Sequence, residues 1–188
     1  MNNYNCSSTQ SDTTVTFTID SNKTILDDEI SMYNENDEVD VVIVDKLVKE
    51  FNRVSNGLIQ DYNYQVIDKK NIHIEILFKH VFSKFGEIQR YINYKLTYNE
   101  QAKSLEIVLN NGNIGLSNIR NCQQFPFDKL QLSNTKMADG MNKTIIVAYS
   151  NAPISTYKNY KMIVDYAKRL IYDNYVNIEN YVAITKNK

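Results

Sequence analysis

Three segments in the middle of the chain alternate apolar and polar residues with a period of two, and that period constrains the fold more than any other feature. Ile72, Ile74, Ile76 and Phe78 alternate with His73, Glu75 and Leu77. Ile92, Tyr94, Leu96 and Tyr98 alternate with Tyr91, Asn93, Lys95 and Thr97, and Leu105, Ile107 and Leu109 follow. Successive strand side chains point to opposite faces, so such runs build a sheet with one face toward a core. If both later sets face that core, Leu96 pairs with Leu105 and Tyr94 with Ile107 across the loop Asn99 to Ala102. Lys95 then stands opposite Glu106. Asn110-Asn111-Gly112-Asn113 supplies a tight turn, and Ile114 to Ile119 returns as a further strand.

Around this sheet the pattern predicts two helices. Val41, Val44, Leu47, Val48, Phe51 and Val54 recur at three- and four-residue steps, a helix over about 40–55, with Gly57 placed to end it. Pro153 and Ser155 open a longer helix over about 156–176. Its core face collects Tyr157, Tyr160, Ile163, Val164, Ala167, Leu170 and Ile171. Thr13 to Ile19 and Lys143 to Tyr149 read as strands, Tyr181 to Ile184 as a short final strand, and 120–142 as loop. The fold class is α+β: a mostly antiparallel sheet packed on one face by the two helices. A sheet wrapped on the C-terminal helix fits this order of elements and by itself implies no ligand. Residues 1–12 are polar and patternless and read as a disordered tail, with a single α+β domain over 13–188.

Charge is uneven. The first 60 residues carry eleven Asp and Glu against four Lys and Arg, a net −7, and the remainder carries 17 basic against 11 acidic residues, a net +6. Much of the acid lies in a connector at 20–40, with Asp27, Asp28 and Glu29 in one run and Glu35, Asp37, Glu38 and Asp40 in another. An acidic front and a basic back suggest two surfaces with different partners, or one that meets itself. The abundance of Asn, Ile, Lys and Tyr reflects AT-rich codons and points to an AT-rich genome. No stretch has the apolar length of a membrane span, and the N-terminus lacks the basic start and apolar run of a signal peptide. An intracellular protein, cytoplasmic or nuclear, is expected.

Chemistry-bearing motifs are few. Cys6 and Cys122 are too few for a disulfide framework or a zinc site. Two windows, from Asp20 and from Asn34, imitate part of a calcium loop. Each places Ile25 or Val39 where the loop needs glycine, so no metal is expected. His73 and Glu75 share a strand face and read as a surface pair, and nothing around His73 or His80 resembles a nucleophile–base arrangement. Glycine loops that cradle phosphate are missing, so no cofactor is expected.

Two binding features remain. The outer arc of the C-terminal helix carries Lys158, Lys161, Lys168, Arg169 and Tyr172, cations with a ring that could grip phosphates and stack on a base. Asp27, Asp28, Glu29, Glu35, Asp37 and Glu38 form an acidic segment suited to docking on a basic partner. The leading expectation is a non-enzymatic interaction or assembly subunit of a larger complex, with a protein partner or self-association. Nucleic-acid binding through the basic arc is the alternative. A small-ligand binder or enzyme with a pocket between sheet and C-terminal helix is the third.

Overall fold

The computed structural model describes residues 5–22, 38–69, 71–81, 83–85, 88–99, 104–110, 115–116, 121–125 and 127–186. In chain order they form β1 (Asn5–Gln10), β2 (Thr14–Ser21), α1 (Val41–Val54), β3 (Ile59–Val66), β4 (Asn71–Phe78), β5 (Arg90–Asn99) and β6 (Ser104–Leu109). These are followed by β7 (Gln123–Gln124), β8 (Lys129–Lys136), β9 (Asn142–Tyr149), α2 (Tyr160–Val176) and α3 (Ile178–Lys186). Short 3-10 turns lie at Ser83–Phe85 and Ile154–Thr156. Among the described residues the strands make one sheet in the order β1-β2-β9-β8-β6-β5-β4-β3. All neighbours on that path are antiparallel, and β7 adds a short parallel pairing to β5. The α+β class read from the sequence is the architecture observed, with both expected helices present as α1 and α2 and α3 as a third.

The helices cover one face of the sheet in two portions. Val15, Phe17 and Ile19 of β2, Ile146 and Ala148 of β9 and Leu132 of β8 pack with Ile154, Tyr175 and Ile178 into one core cluster. Ile72, Ile74 and Ile76 of β4, Ile59 of β3 and Tyr94 of β5 pack with Val44 and Val48 of α1 into another. Ile107 of β6 touches both, so the clusters share a sheet face. Each fully buried aliphatic side chain stabilises the fold by about 1.5–3 kcal/mol.

Local chemistry explains the ends of α1. The Asp40 carboxylate accepts hydrogen bonds from the backbone N–H groups of Val42 (3.0 Å) and Ile43 (3.2 Å), which satisfies two donors the helix cannot. At the other end Gly57 N–H donates to Asn52 O (2.7 Å) with φ +71°. A Cβ there would be strained and would approach Lys79 Nζ to 3.2 Å, so glycine is required.

Several expectations are corrected. Asn5–Gln10, assigned to a disordered tail, pairs residue for residue with β2; backbone hydrogen bonding needs no apolar pattern, and only Cys6 reaches the core. Strand β3 was missed because its sequence, IQDYNYQV, is polar. The stretch 120–142 holds β7 and β8 rather than loop alone. Tyr181 to Ile184 is helical: Ile178, Tyr181, Val182 and Thr185 are all buried and stand at i, i+3, i+4 and i+7. The long helix begins at Tyr160 rather than 156, after Asn159 in the left-handed region (φ 57°).

The β5–β6 register is displaced by two residues, with Leu96 opposite Ile107 and Tyr98 opposite Leu105. Glu106 therefore faces Thr97, and its ion pair is made with Lys129 of β8. The expected turn at 110–113 and strand at 114–119 fall largely outside the described residues, as does most of the acidic connector. Gly115 and Leu116 are described and are not in a strand.

Candidate functional site

Where the two portions of the helical layer meet, the core is hollow. Phe51 lies near the end of α1, Phe78 at the end of β4, Phe125 after β7, and Ile163, Tyr166, Ala167 and Leu170 along one side of α2. Together with Leu58, Lys79, His80, Val81, Ile88, Gln89 and Arg90 they line a cavity of about 120 Å³. A second lobe of about 330 Å³ shares Phe51, Ala167 and Leu170 with the first. It is otherwise lined by Ile146, Ile171, Asn174, Tyr175 and Tyr181. From Ile163 to Tyr175 the lobes follow α2 for twelve residues, roughly 18 Å at the helical rise.

The lining is graded. Lys79, His80, Val81 (43% exposed) and Ile88 (41% exposed) mark the mouth, whereas Leu58 and Ile163 are buried. Arg90 Nη1 donates to Gln123 Oε1 (3.3 Å) and Gln124 O (3.2 Å), and Gln89 Nε2 to Phe78 O (2.7 Å), which fixes both side chains beside the opening. Burial raises the Tyr166 hydroxyl above its ordinary pKa, against a smaller lowering by Arg169. At the far end the Tyr181 hydroxyl donates to Asn174 Oδ1, and Asn174 Nδ2 donates to Leu170 O (2.8 Å). Between these ends the lining is aliphatic and aromatic. The sequence signal for this wall was the core face assigned to the C-terminal helix, which named Ile163, Ala167, Leu170 and Ile171. Nothing local announced that Phe51, Phe78 and Phe125 would stand opposite them.

The residues singled out for binding lie elsewhere. Lys161, Lys168 and Tyr172 follow at seven- and four-residue steps along one stripe of α2. Lys168 is half-buried and close enough to β1 for its charge to act on the Cys6 thiol, whose pKa burial nonetheless raises. Arg169 Nε lies 3.8 Å from Asp173 Oδ2, and Lys158 stands in the turn before the helix. Tyr172 is exposed and Tyr91 half-buried. Of the acidic segment, Asp27, Asp28, Glu29, Glu35 and Asp37 lie outside the described residues. Glu38 pairs with Lys69 at 3.0 Å.

His73 and Glu75 are not the surface pair expected. Both are buried, at 9% and 2% exposure, on the face of β4 turned away from α1. The Glu75 carboxylate accepts the Gly115 N–H at 2.9 and 3.0 Å and Asn63 Nδ2 at 3.4 Å. His73 Nε2 lies 2.5 Å from Asn93 Oδ1 and 2.9 Å from Asn110 Nδ2. The cluster ties Asn110 and Gly115 onto the back of the sheet. Among the described residues no three His, Cys, Asp or Glu side chains are grouped to hold a metal ion. No described helix is long and apolar enough to cross a membrane.

No family model matches the chain, and no curated protein does. Solved structures of similar shape exist. The human StarD13 (DLC2) lipid transfer and protein localization domain is 7% identical over 99% of this chain and 89% of its own, with a TM-score of 0.45. Human STARD10 is 6% identical over 97% and 72%, at 0.46. A STAR-related lipid transfer protein from Xanthomonas axonopodis is 9% identical over 95% and 96%, at 0.43. Likeness of this degree carries no residue or activity across. The leading expectation of an assembly subunit, and with it the nucleic-acid alternative, is nevertheless corrected. The finding that corrects it is in the molecule itself: the described side chains build an apolar cavity between the sheet and the C-terminal helix, the place the third reading named.

Proposed function

We propose that the protein binds an elongated apolar small molecule, of the kind a lipid acyl chain represents, in the two-lobed cavity between the sheet and α2. One observation carries this reading: aliphatic and aromatic side chains from α1, β4, the β7–β8 connection and α2 converge on a space they do not fill. Ligand sites are apolar in the main with a few convergent polar groups, and the lining here has that composition. Water in such a space finds few partners, so an apolar occupant gains about 25 cal/mol for each Å² it buries.

Ala167 lines both lobes, so an indole placed there takes up space in each. The protein is expected to take up the uncharged dye Nile red saturably, with a blue-shifted emission, and to melt at higher temperature when an apolar ligand is present. Ala167→Trp should weaken dye binding by roughly tenfold or more, a loss of about 1.4 kcal/mol or greater. Its far-ultraviolet circular dichroism should be unchanged. Uptake by the folded variant equal to that of the parent protein would place the dye elsewhere and remove the proposal.

A further inference from the structure

The mouth and the interior of the cavity differ in charge, and the difference selects a ligand. Three basic side chains, Lys79, His80 and Arg90, line the first lobe, and no carboxylate does so among the described residues. Among the described residues no charged side chain lines the second lobe. Lys79 and His80 are exposed where the lobe opens to solvent, while the first-lobe residues carried by α2 are apolar apart from the Tyr166 hydroxyl. The Lys79 ammonium lies over Gly57, in the loop that ends α1. No carboxylate pairs with it among the described residues. Its backbone N–H is held by Leu58 O (2.8 Å) and Arg90 is held through Gln123 and Gln124, so the two cations come from anchored segments at the adjoining ends of β4 and β5.

We infer that the ligand is a single-chain amphiphile with an acidic head, a carboxylate, held at the mouth by Lys79 and Arg90 while its tail runs along α2 into the second lobe. This rests on the cavity reading above and adds the head group to it. A charged head left in the interior would lose its hydration without a partner there, whereas at the mouth it keeps water and gains two charge-assisted contacts. The tail has roughly 18 Å of apolar wall between Ile163 and Tyr175. Long basic side chains suit this arrangement, since their stems cover apolar surface and their heads stay at the water boundary.

Three probes with the same tail separate head from tail: myristate, myristyl alcohol and myristyl trimethylammonium. Each is titrated below its micelle concentration against the full chain at low and at physiological salt. Myristate is expected to bind roughly tenfold more tightly than the alcohol, the gain of one or two charge-assisted contacts, with the cation weakest. Added salt should narrow the gap between anion and alcohol. Lys79→Glu should invert the order of anion and cation, and Lys79→Ala should remove most of the preference for myristate over the alcohol, Arg90 keeping the rest. Lys79 is exposed, so both variants are expected to fold, and their melting curves check it. If all three probes bind alike, the head-group inference is overturned while the cavity reading stands. If none binds, both fall. If the Lys79 variants keep the full preference for myristate, the assignment of the mouth residues is overturned.

Discussion

The two faces of β4 are both closed to solvent, but by different chemistry and with different completeness. Toward the helices, Ile72, Ile74 and Ile76 pack under Val44 and Val48 of α1, and the same row of side chains ends at Phe78 beside the cavity. On the other face, His73 and Glu75 meet Asn63, Asn93, Asn110 and the Gly115 N–H, with named hydrogen bonds at 2.5–3.4 Å. Apolar contact has no direction, so a helix can cover most of a face and stop short, leaving a space that water has little reason to fill. A buried carboxylate allows no such slack, because each unmatched polar group costs about 1–3 kcal/mol. The incompletely covered face is therefore where a ligand can enter, and the polar face holds the sheet together.

The largest effect expected along β4 is on the helix side. Ile74→Ala opens a void in a filled region and should lower stability by about 2–5 kcal/mol. Phe78→Ala, which enlarges a cavity already present, should cost clearly less. Denaturant melts of the two variants compare them directly, and equal losses would mean that the cavity end is as tightly packed as the rest. On the opposite face Glu75→Leu leaves the Gly115 N–H without its acceptor and should cost about 1–3 kcal/mol. The sharper readout is hydrogen exchange at Gly115, expected to accelerate in that variant and to stay slow in Phe78→Ala.

The smallest effect concerns α1 and β3, which close the sheet edge. The Tyr62 hydroxyl donates to Asp45 Oδ1 at 2.6 Å, and Lys49 Nζ lies 2.7 Å from Asp45 Oδ2. Lys49 first, and Tyr62 next, hold the Asp45 carboxyl below its ordinary pKa, and the Asp45 hydrogen bond pushes Tyr62 up to about 12. Asp45 thus contributes stability that is fully present above the usual carboxylate range and lost as pH falls through it. Tyr62 contributes stability that is present below its ordinary value of 10.0 and lost as pH rises toward about 12. Asp45→Asn should flatten both limbs of the stability–pH curve by a fraction of the whole. An unchanged curve would show that this contact does not hold β3 to α1.

Much of the frame was legible before any tertiary information. The first helix lies where the apolar steps placed it, and Gly57 takes the positive φ that ends it. The alternating runs became β4, β5 and β6, and the apolar stripe from Tyr160 to Ile171 became the buried side of α2. The β5–β6 register was not legible, because a two-residue slip returns every side chain to the face it left, and alternation cannot tell the two apart. The polar strands β1 and β3 were hidden for a related reason: both are made by backbone pairing to a neighbour that the segment itself does not specify. His73 and Glu75 looked exposed because a charged pair on an alternating strand ordinarily is. Asn110 and Gly115 covered them.

What the chain determined by itself are the properties that repeat over a few residues: which segments are strands with an apolar face, which are amphipathic helices, and where Gly57 ends the first of them. Those follow from backbone geometry, which acts between near neighbours. Tertiary structure alone decided that Phe51, Phe78, Phe125 and Leu170 line one space, and that Lys79 and Arg90 line it with them. These residues belong to segments far apart in sequence, and their meeting depends on how loops close and helices seat on the sheet. No local period encodes that outcome.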